Sequence, residues 1–394
     1  MRVSRENSIE DRELERGAAA PSECPARVLE AEQSTDADSD FDVETEGSLS
    51  EKAGIRGLGE VAKDTIYLGS CQTHGVVPAS SFLRQGSSPE LSMPHRGLGP
   101  QGVRALASAL ITNPYIRKLD LRDNGLCVTG AKALANALSK TGSIYEVDLS
   151  ENQLGAKGAQ ALCAALMVSP AIRKVQLAGN SLEEEAARYL AGLLLARTSL
   201  KSLDLSYNQL NEQAGETLGP ALAENTGLTE LNLSWNHLRG PGAIAFARGL
   251  EANIFLKVLD ISYNGFGDTG ASAVGEALKT NNVLEELNMS NNRISAVGAL
   301  GLGLGLRVNQ TLRILVMARN PMRSEGCSRL LQSLQNNPLS VLELLDFSDI
   351  QVDTDFDDLS TVMKALLPGL CIKTAARRME YKKDLLGPGG GAPG

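Results

Sequence analysis

The sequence predicts an α/β solenoid, in which a parallel β-sheet lines the concave side of a curved array and helices cover the convex side. Three observations predict this fold class. An asparagine recurs every 28 residues, the apolar spacing switches from a strand period to a helix period within each repeat, and aromatic residues make up only 4% of a chain that holds 39 glycines. Self-similarity at a fixed period is the mark of a repeat array. Small residues favour thin, repeated packing over one large aromatic core.

The first segment, residues 1–60, is predicted to be a disordered acidic head. It holds 16 of the 47 acidic residues of the chain but only 7 of the 38 basic ones, and few apolar residues. Too little apolar surface is present to offset the entropy of ordering. Residues 61–112 are expected to form N-terminal capping and degenerate repeats, because Leu91 and Met93 keep the apolar register while Arg96 stands where asparagine is expected.

Eight repeats of 28 residues are predicted over residues 113–338. Each has the spacing LxxLxLxxN, and the asparagines are Asn124, Asn152, Asn180, Asn208, Asn236, Asn264, Asn292 and Asn320. The LxL core is a short strand whose alternate residues point inward. Because an amide side chain both donates and accepts hydrogen bonds, each asparagine is expected to satisfy buried backbone groups and to link one coil to the next.

The second half of each repeat is predicted to be a helix. Leucines recur at i and i+4, as in Leu134 and Leu138, which is the spacing of one helix face. Glycines recur just before these helices, where a side chain is expected to crowd the turn: Gly102, Gly130, Gly158, Gly242, Gly270, Gly298 and Gly326. The helix near residues 296–308 is expected to be the weakest, because Gly301, Gly303 and Gly305 replace alanine there. Strands spaced at about 4.8 Å and helices at about 8–10 Å bend the stack with the sheet inside.

The chain after the repeats is predicted to close the array. Residues 339–370 are expected to be a C-terminal capping repeat and helix, with the helix near residues 359–367 covering the open end. Apolar residues there repeat the spacing one residue early, with phenylalanine in the asparagine place: Leu339, Leu342, Leu344 and Phe347. Residues 371–394, which end in GPGGGAPG, are predicted to be a flexible tail.

The repeat IRKLDLRDNGLCVTGAKALANALSK resembles the ribonuclease-inhibitor type of leucine-rich repeat, over residues 90–346. The resemblance implies a leucine-rich-repeat solenoid that binds other proteins. The family includes ribonuclease inhibitors, a GTPase-activating protein for Ran and the ligand-sensing ends of NOD-like receptors. Six cysteines are fewer than the inhibitors carry, and the GxxxxGK[ST] loop of a NOD-like receptor does not occur.

Composition argues against several classes of function. No apolar run of 18 residues and no apolar N-terminus occurs, so neither a membrane span nor a secretory signal is expected. Outside the head the charges balance, which argues against nucleic acid as a ligand. The cysteines form no CxxC pair and are interpreted as reduced thiols in a cytoplasmic monomer.

Catalytic residues, cofactors and metals are likewise not expected. His74, His95 and His237 are scattered, without a serine or cysteine partner in a recognisable nucleophile motif. The acidic run over residues 353–358 lacks the glycine and the terminal glutamate of a calcium loop, so a solvated face is the favoured interpretation.

Two groups of residues are predicted to meet a partner. The residue just before the repeat asparagine is aromatic in three successive repeats, as Tyr207, Trp235 and Tyr263. Large rigid rings anchor many interfaces; the alternative is that they pack on one another and stiffen the array. The second group is formed by acids that flank the inward leucines on the concave face: Asp204, Glu230 and Asp260.

The predicted function is that of a non-enzymatic scaffold for protein–protein interaction, which binds through the concave face and the adjoining ridge. An alternative follows from the resemblance to the Ran-activating protein, namely a regulator of a small GTPase that positions Arg96 or Arg122. A third hypothesis is a structural spacer with no single high-affinity partner.

Overall fold

The computed structural model describes residues 58–85, 87–196 and 199–375. Within them, eleven strands form one parallel sheet in chain order and alternate with helices. The strands are β1 (Glu90–Ser92), β2 (Lys118–Asp120), β3 (Glu146–Asp148), β4 (Lys174–Gln176), β5 (Ser202–Asp204), β6 (Glu230–Asn232), β7 (Val258–Asp260), β8 (Glu286–Asn288), β9 (Ile314–Val316), β10 (Leu344–Phe347) and β11 (Cys371–Thr374). The predicted α/β solenoid class is confirmed.

The helices form the second layer, one after each strand in the repeats. They are α1 (Leu58–His74), α2 (Ser80–Arg84), α3 (Gly99–Leu110), α4 (Cys127–Leu138), α5 (Gly155–Val168), α6 (Glu184–Leu195), α7 (Glu212–Glu224), α8 (Gly240–Ala252), α9 (Gly267–Thr280), α10 (Ala296–Leu306), α11 (Arg323–Gln335) and α12 (Thr354–Leu366). One strand, its loop and its helix make one coil.

The core lies between the two layers and repeats from coil to coil. In β5 only the central residue, Leu203, is buried, and it pairs with Val175 before it and Leu231 after it. The helices contribute their predicted leucines, such as Leu134 and Leu138, which are buried. The first and third residues of each strand therefore lie on the sheet face turned away from the helices, here called the open sheet face.

The repeat asparagines form a buried ladder, as predicted. The Nδ2 of Asn208 donates to the carbonyl of Leu177 in the preceding coil at 3.0 Å and to that of Leu205 at 2.9 Å. Its Oδ1 accepts from the backbone N–H groups of Asn180 and Leu182, at 2.9 and 3.1 Å. One amide thus ties two coils together through groups that would otherwise be buried without partners.

A second asparagine ladder, not found from the sequence, lies between the helices and the strands. Its members are Asn225, Asn253, Asn281, Asn309 and Asn337, and all are buried. The Nδ2 of Asn253 donates to the carbonyls of Leu222 and Asn225, at 2.8 and 3.1 Å, and its Oδ1 accepts from the backbone N–H of Leu256 at 2.8 Å. The same spacing of 28 residues is present in the sequence, but Thr141 and Ser169 occupy the position in earlier repeats and hide the pattern.

The glycines predicted just before the helices lie inside the first helical turn. A Cβ on Gly158 would stand 2.8 Å from the Cβ of Leu154, and one on Gly270 would stand 2.9 Å from the ring of Phe266. Neither glycine has a positive φ. The predicted crowding is present, but it comes from the apolar side chain four residues earlier and not from the turn into the helix.

Both ends depart from the sequence prediction. The register of β10 pairs Leu345 with Leu315, so the spacing is two residues longer than 28 and not one shorter, and Ile350 takes the asparagine place instead of Phe347. Leu339 is exposed. Residues 371–374 form β11, so the tail predicted from residue 371 begins with a strand that extends the sheet. Helix α1 begins at Leu58, and the predicted head before it lies outside the described residues.

Candidate functional site

The residues just before the first asparagine ladder form a continuous column, here called the exit column. Nearly all adopt the left-handed backbone region, with φ between 48° and 65°: His95, Asp123, Glu151, Gly179, Tyr207, Trp235, Tyr263, Asn291, Arg319 and Asp349. Each backbone N–H donates to a carbonyl of the next coil, as from Trp235 to Ser262 at 3.0 Å. The coil geometry therefore imposes a conformation that favours glycine and asparagine.

The aromatic ridge consists of Tyr207, Trp235 and Tyr263, the three rings of the exit column. Their planes are nearly parallel, with ring centroids 5.1 Å apart between Tyr207 and Trp235 and 3.7 Å apart between Trp235 and Tyr263. The side of the stack stays open, since Tyr207 is 59% and Trp235 is 41% exposed. Successive strands about 4.8 Å apart hold successive rings at stacking distance, so the array places the rings before any partner arrives.

An arginine closes the C-terminal end of the aromatic ridge. The Nη1 of Arg319 donates to the Oη of Tyr263 at 3.0 Å, and its Nε donates to the Oδ2 of Asp349 at 2.6 Å. These two hydrogen bonds raise the pKa of the Arg319 guanidinium. The sequence prediction was limited to the three rings and missed Arg319, although it stands in the same position of its own repeat.

The three acids predicted to meet a partner differ in how far their side chains are already engaged. Asp204 Oδ1 accepts from the backbone N–H of Ser206 at 2.8 Å, which shapes the bend after the strand. Asp260 has both oxygens engaged, by the N–H of Ser262 and the amide of Asn288, each at 2.9 Å. Glu230 is exposed, and in the described part of the chain its carboxylate has no hydrogen bond or ion pair. It is the most available of the three.

Charge on the open sheet face is neutralised at one end and not in the middle. Glu146 lies 3.4 Å from both Lys118 and Lys174, so the N-terminal strands pair their own charges. Along β5 to β8, by contrast, four acids have no lysine or arginine within ion-pair distance among the described residues: Asp204, Glu230, Asp260 and Glu286. The part of the sheet beside the aromatic ridge is therefore acidic.

The two arginines considered for GTPase regulation lie in the first coils. Arg122 is held by Asp120 at 3.3 Å and Asp148 at 3.7 Å, and these carboxylates raise the pKa of its guanidinium. The backbone N–H of Arg96 donates to Asn124 Oδ1 at 3.2 Å, so this residue begins the first asparagine ladder.

Groups that could carry redox, metal or acid–base chemistry have structural roles instead. Burial raises the pKa values of the Cys163 and Cys327 thiols to about 12. Asp353, in the acidic run, caps helix α12 by accepting from the N–H of Phe356 at 3.0 Å. Across the described ranges, no group of histidine, cysteine and acidic side chains is placed to hold a metal ion. Nor does this part of the chain contain a helix both long and apolar enough to cross a membrane.

Curated relatives match a limited part of the chain. Leucine-rich repeat-containing protein 74B of Homo sapiens is 71% identical over 118 residues, and that of Mus musculus is 64% identical over 109 residues. These matches cover 30% and 28% of this chain. The chain spans only about a quarter of each relative's length, 28% and 25% respectively.

Two solved structures share a weaker likeness. The leiomodin-1 structure titled Actin-Binding Site 2 has 20% identity and a TM-score of 0.28, covering 32% of this chain and 70% of its own. The tropomodulin C-terminal domain of Caenorhabditis elegans has 21% identity and a TM-score of 0.34, covering 38% of this chain and 92% of its own. Both TM-scores are low, and neither likeness bears on function.

The repeats themselves match a family model described as Leucine Rich repeat. The matched residues are 112–135, 144–163, 197–219, 224–247, 252–275, 280–303 and 308–331. The model does not distinguish the ribonuclease-inhibitor type, so that type stays a resemblance. The repeat array across residues 112–331 belongs to the leucine-rich repeat family.

Proposed function

We propose that this protein is a non-enzymatic scaffold that binds a protein partner through the aromatic ridge and the acidic part of the open sheet face beside it. One observation carries the proposal: three stacked rings stand in a strained backbone conformation and still leave Tyr207 59% and Trp235 41% exposed. Rings that are already ordered lose little conformational entropy when a partner covers them. Aromatic residues of this kind dominate the binding energy of many interfaces.

The alternative for the ridge is that stacking serves only to stiffen the array. Each stacked pair contributes about 0.5–1.5 kcal/mol, so Trp235 gains about 1–3 kcal/mol from its two neighbours. A non-glycine residue in the left-handed region costs about 1–3 kcal/mol. Because these amounts nearly cancel, stacking gives the folded state little net stability, and a purely structural reason for the three rings is weak.

The test uses Trp235→Asn, because asparagine already occupies the same left-handed position at Asn291. Proximity labelling with mass spectrometry compares this variant with the wild type in cells. The matched control is Tyr145→Ala, which removes an exposed tyrosine from outside the exit column. Selective loss of specific partners by Trp235→Asn, with its melting temperature within a few degrees of the wild type, supports the proposal. Equal labelling by all three proteins contradicts it.

Regulation of a small GTPase is the second function considered. Such a role needs an arginine free to reach a bound nucleotide, whereas Arg122 is shared between two carboxylates. This engagement places the alternative behind the scaffold. A GTP-hydrolysis assay on a panel of small GTPases, with wild type and Arg122→Ala, separates the two, because only a regulator accelerates hydrolysis in an arginine-dependent way. Free, buried thiols favour a cytoplasmic location, which we include in the proposal.

A further inference from the structure

The aromatic ridge has an open N-terminal end. Tyr207 stacks on Trp235 with one face, and the exit column presents Gly179 beside its other face. Glycine offers no side chain to cover that face, which agrees with Tyr207 being the most exposed ring of the ridge, at 59%. The column thus has a one-residue gap next to a bare tyrosine face.

A carboxylate stands on the far side of this gap. Glu151 is the next exit-column residue beyond Gly179, and its Cγ lies 3.1 Å from where a Gly179 Cβ would be. The Glu151 side chain therefore leans over Gly179. Two coil spacings separate Glu151 from Tyr207, about 10 Å, and a planar group needs about 3.5–4 Å to each neighbour. One planar group fits between the ring and the carboxylate.

The charge around the gap favours a cation. Asp120, Asp148 and Glu151 surround the single cation Arg122, and all three raise the pKa of its guanidinium. This group alone carries a net charge of −2, and Asp204, Glu230 and Asp260 extend the acidic surface along the sheet. A cationic side chain from a partner would meet an uncompensated negative field on one side and a π face on the other.

The other end of the ridge shows the same chemistry within the protein. There the Arg319 guanidinium bonds to both Tyr263 and Asp349 and so joins a ring to a carboxylate. A guanidinium is planar, stacks on aromatic faces and pairs with carboxylates in two directions, whereas an ammonium is a compact, strongly hydrated charge. The shape of the gap therefore selects arginine over lysine.

We infer that the gap between Tyr207 and Glu151, above Gly179, is a binding site for an arginine side chain of a basic partner segment that lies along the acidic strands. This inference rests on the proposed function and gives the chemistry of the partner. The site is the place where the partner's arginine stacks, and Asp204, Glu230 and Asp260 supply the wider electrostatic attraction.

The experiment uses two labelled probes of equal charge, an octa-arginine and an octa-lysine peptide, titrated against the full chain by fluorescence anisotropy. Because one stacked cation is worth about 0.5–1 kcal/mol at an exposed site, octa-arginine should bind about two- to five-fold more tightly than octa-lysine. Tyr207→Asn should bring this preference to about one, while octa-lysine affinity is nearly unchanged. Tyr207→Phe keeps the ring and should keep the preference.

Two further variants sharpen the result. Gly179→Asn fills the gap with a residue that the left-handed backbone tolerates, and the flexible Glu151 side chain can give way, so the arginine preference should be lost here too. Tyr145→Ala, outside the exit column, should leave the preference intact. Melting curves establish that each variant is folded.

An arginine preference that survives in both Tyr207→Asn and Gly179→Asn overturns the inference, as does equal binding of both peptides by the wild type. If Trp235→Asn still abolishes partner capture in that case, the arginine site is wrong and the scaffold proposal stands. If capture survives as well, both proposals fail.

Discussion

Asn208 links two coils with five side-chain hydrogen bonds, three donated by Nδ2 and two accepted by Oδ1. Sequence reasoning could predict this role, because an amide in a fixed, buried place has few other uses. It could not predict that the neighbouring position is left-handed, since the conformation follows from the N–H of each residue bonding to the next coil. The stacking of the aromatic ridge is a consequence of that register.

We expect Asn208→Ala to lower the free energy of unfolding by about 1–3 kcal/mol, because backbone groups of two coils lose their partners in a buried place. The matched control is Asn320→Ala, which removes an equivalent set of hydrogen bonds near the C-terminal end of the array. Its global effect should be smaller, since end coils fray. Urea unfolding followed by circular dichroism measures both, and equal losses would argue against a one-dimensional array.

At the scale of elements, glycines determine how closely neighbouring helices approach. A Cβ on Gly215 of α7 would stand 2.6 Å from the carbonyl oxygen of Gly242 in α8, and one on Gly305 of α10 would overlap the carbonyl oxygen of Gly275 in α9. The sequence predicted α10 as the weakest helix from its intrinsic propensity. It could not show that these glycines are contact points, because that depends on which face meets the preceding helix.

Alanine substitution separates propensity from packing. A Cβ on Gly192 of α6 would have no heavy atom within 4 Å, so Gly192→Ala should stabilise the protein by up to about 1 kcal/mol. Gly305→Ala gains the same propensity but forces α9 and α10 apart, and should destabilise by about 1–3 kcal/mol. Thermal and urea unfolding measure both changes. A stabilising Gly305→Ala would mean that α10 is loosely packed, as the sequence alone suggested.

At the scale of the whole molecule, the sequence predicted the coil order and the sheet, because every repeat carries the same signal. The ends were predicted less well. The inserted residues before β10 shift Leu345 and Ile350 out of the 28-residue period, and β11 has no repeat pattern of its own. A strand of that kind forms because the edge of β10 offers unpaired backbone groups, which is a property of the assembled sheet.

Buried thiols report how the array opens. Cys163 in α5 and Cys327 in α11 are buried, with pKa values raised to about 12, so at pH 8 they react only when their coils open. If the array frays from its ends, Cys327 should be alkylated faster than Cys163, with the exposed Cys371 fastest of the three. Peptide-resolved mass spectrometry after timed alkylation gives the rates. Identical rates for Cys163 and Cys327 would indicate that the coils open as one unit.

The most direct test of the central claim, that the exposed aromatic ridge binds the partner, is the affinity of the captured partner for wild type and Trp235→Asn by isothermal titration calorimetry. We expect the variant to bind more weakly by about 2 kcal/mol or more, as buried interface aromatics do, with a free energy of unfolding within about 1 kcal/mol of the wild type. Leu233→Ala is the contrasting control, because Leu233 is buried and its loss should cost about 2–5 kcal/mol of stability. Unchanged affinity in a folded Trp235→Asn protein would contradict the claim and leave the ridge as packing alone.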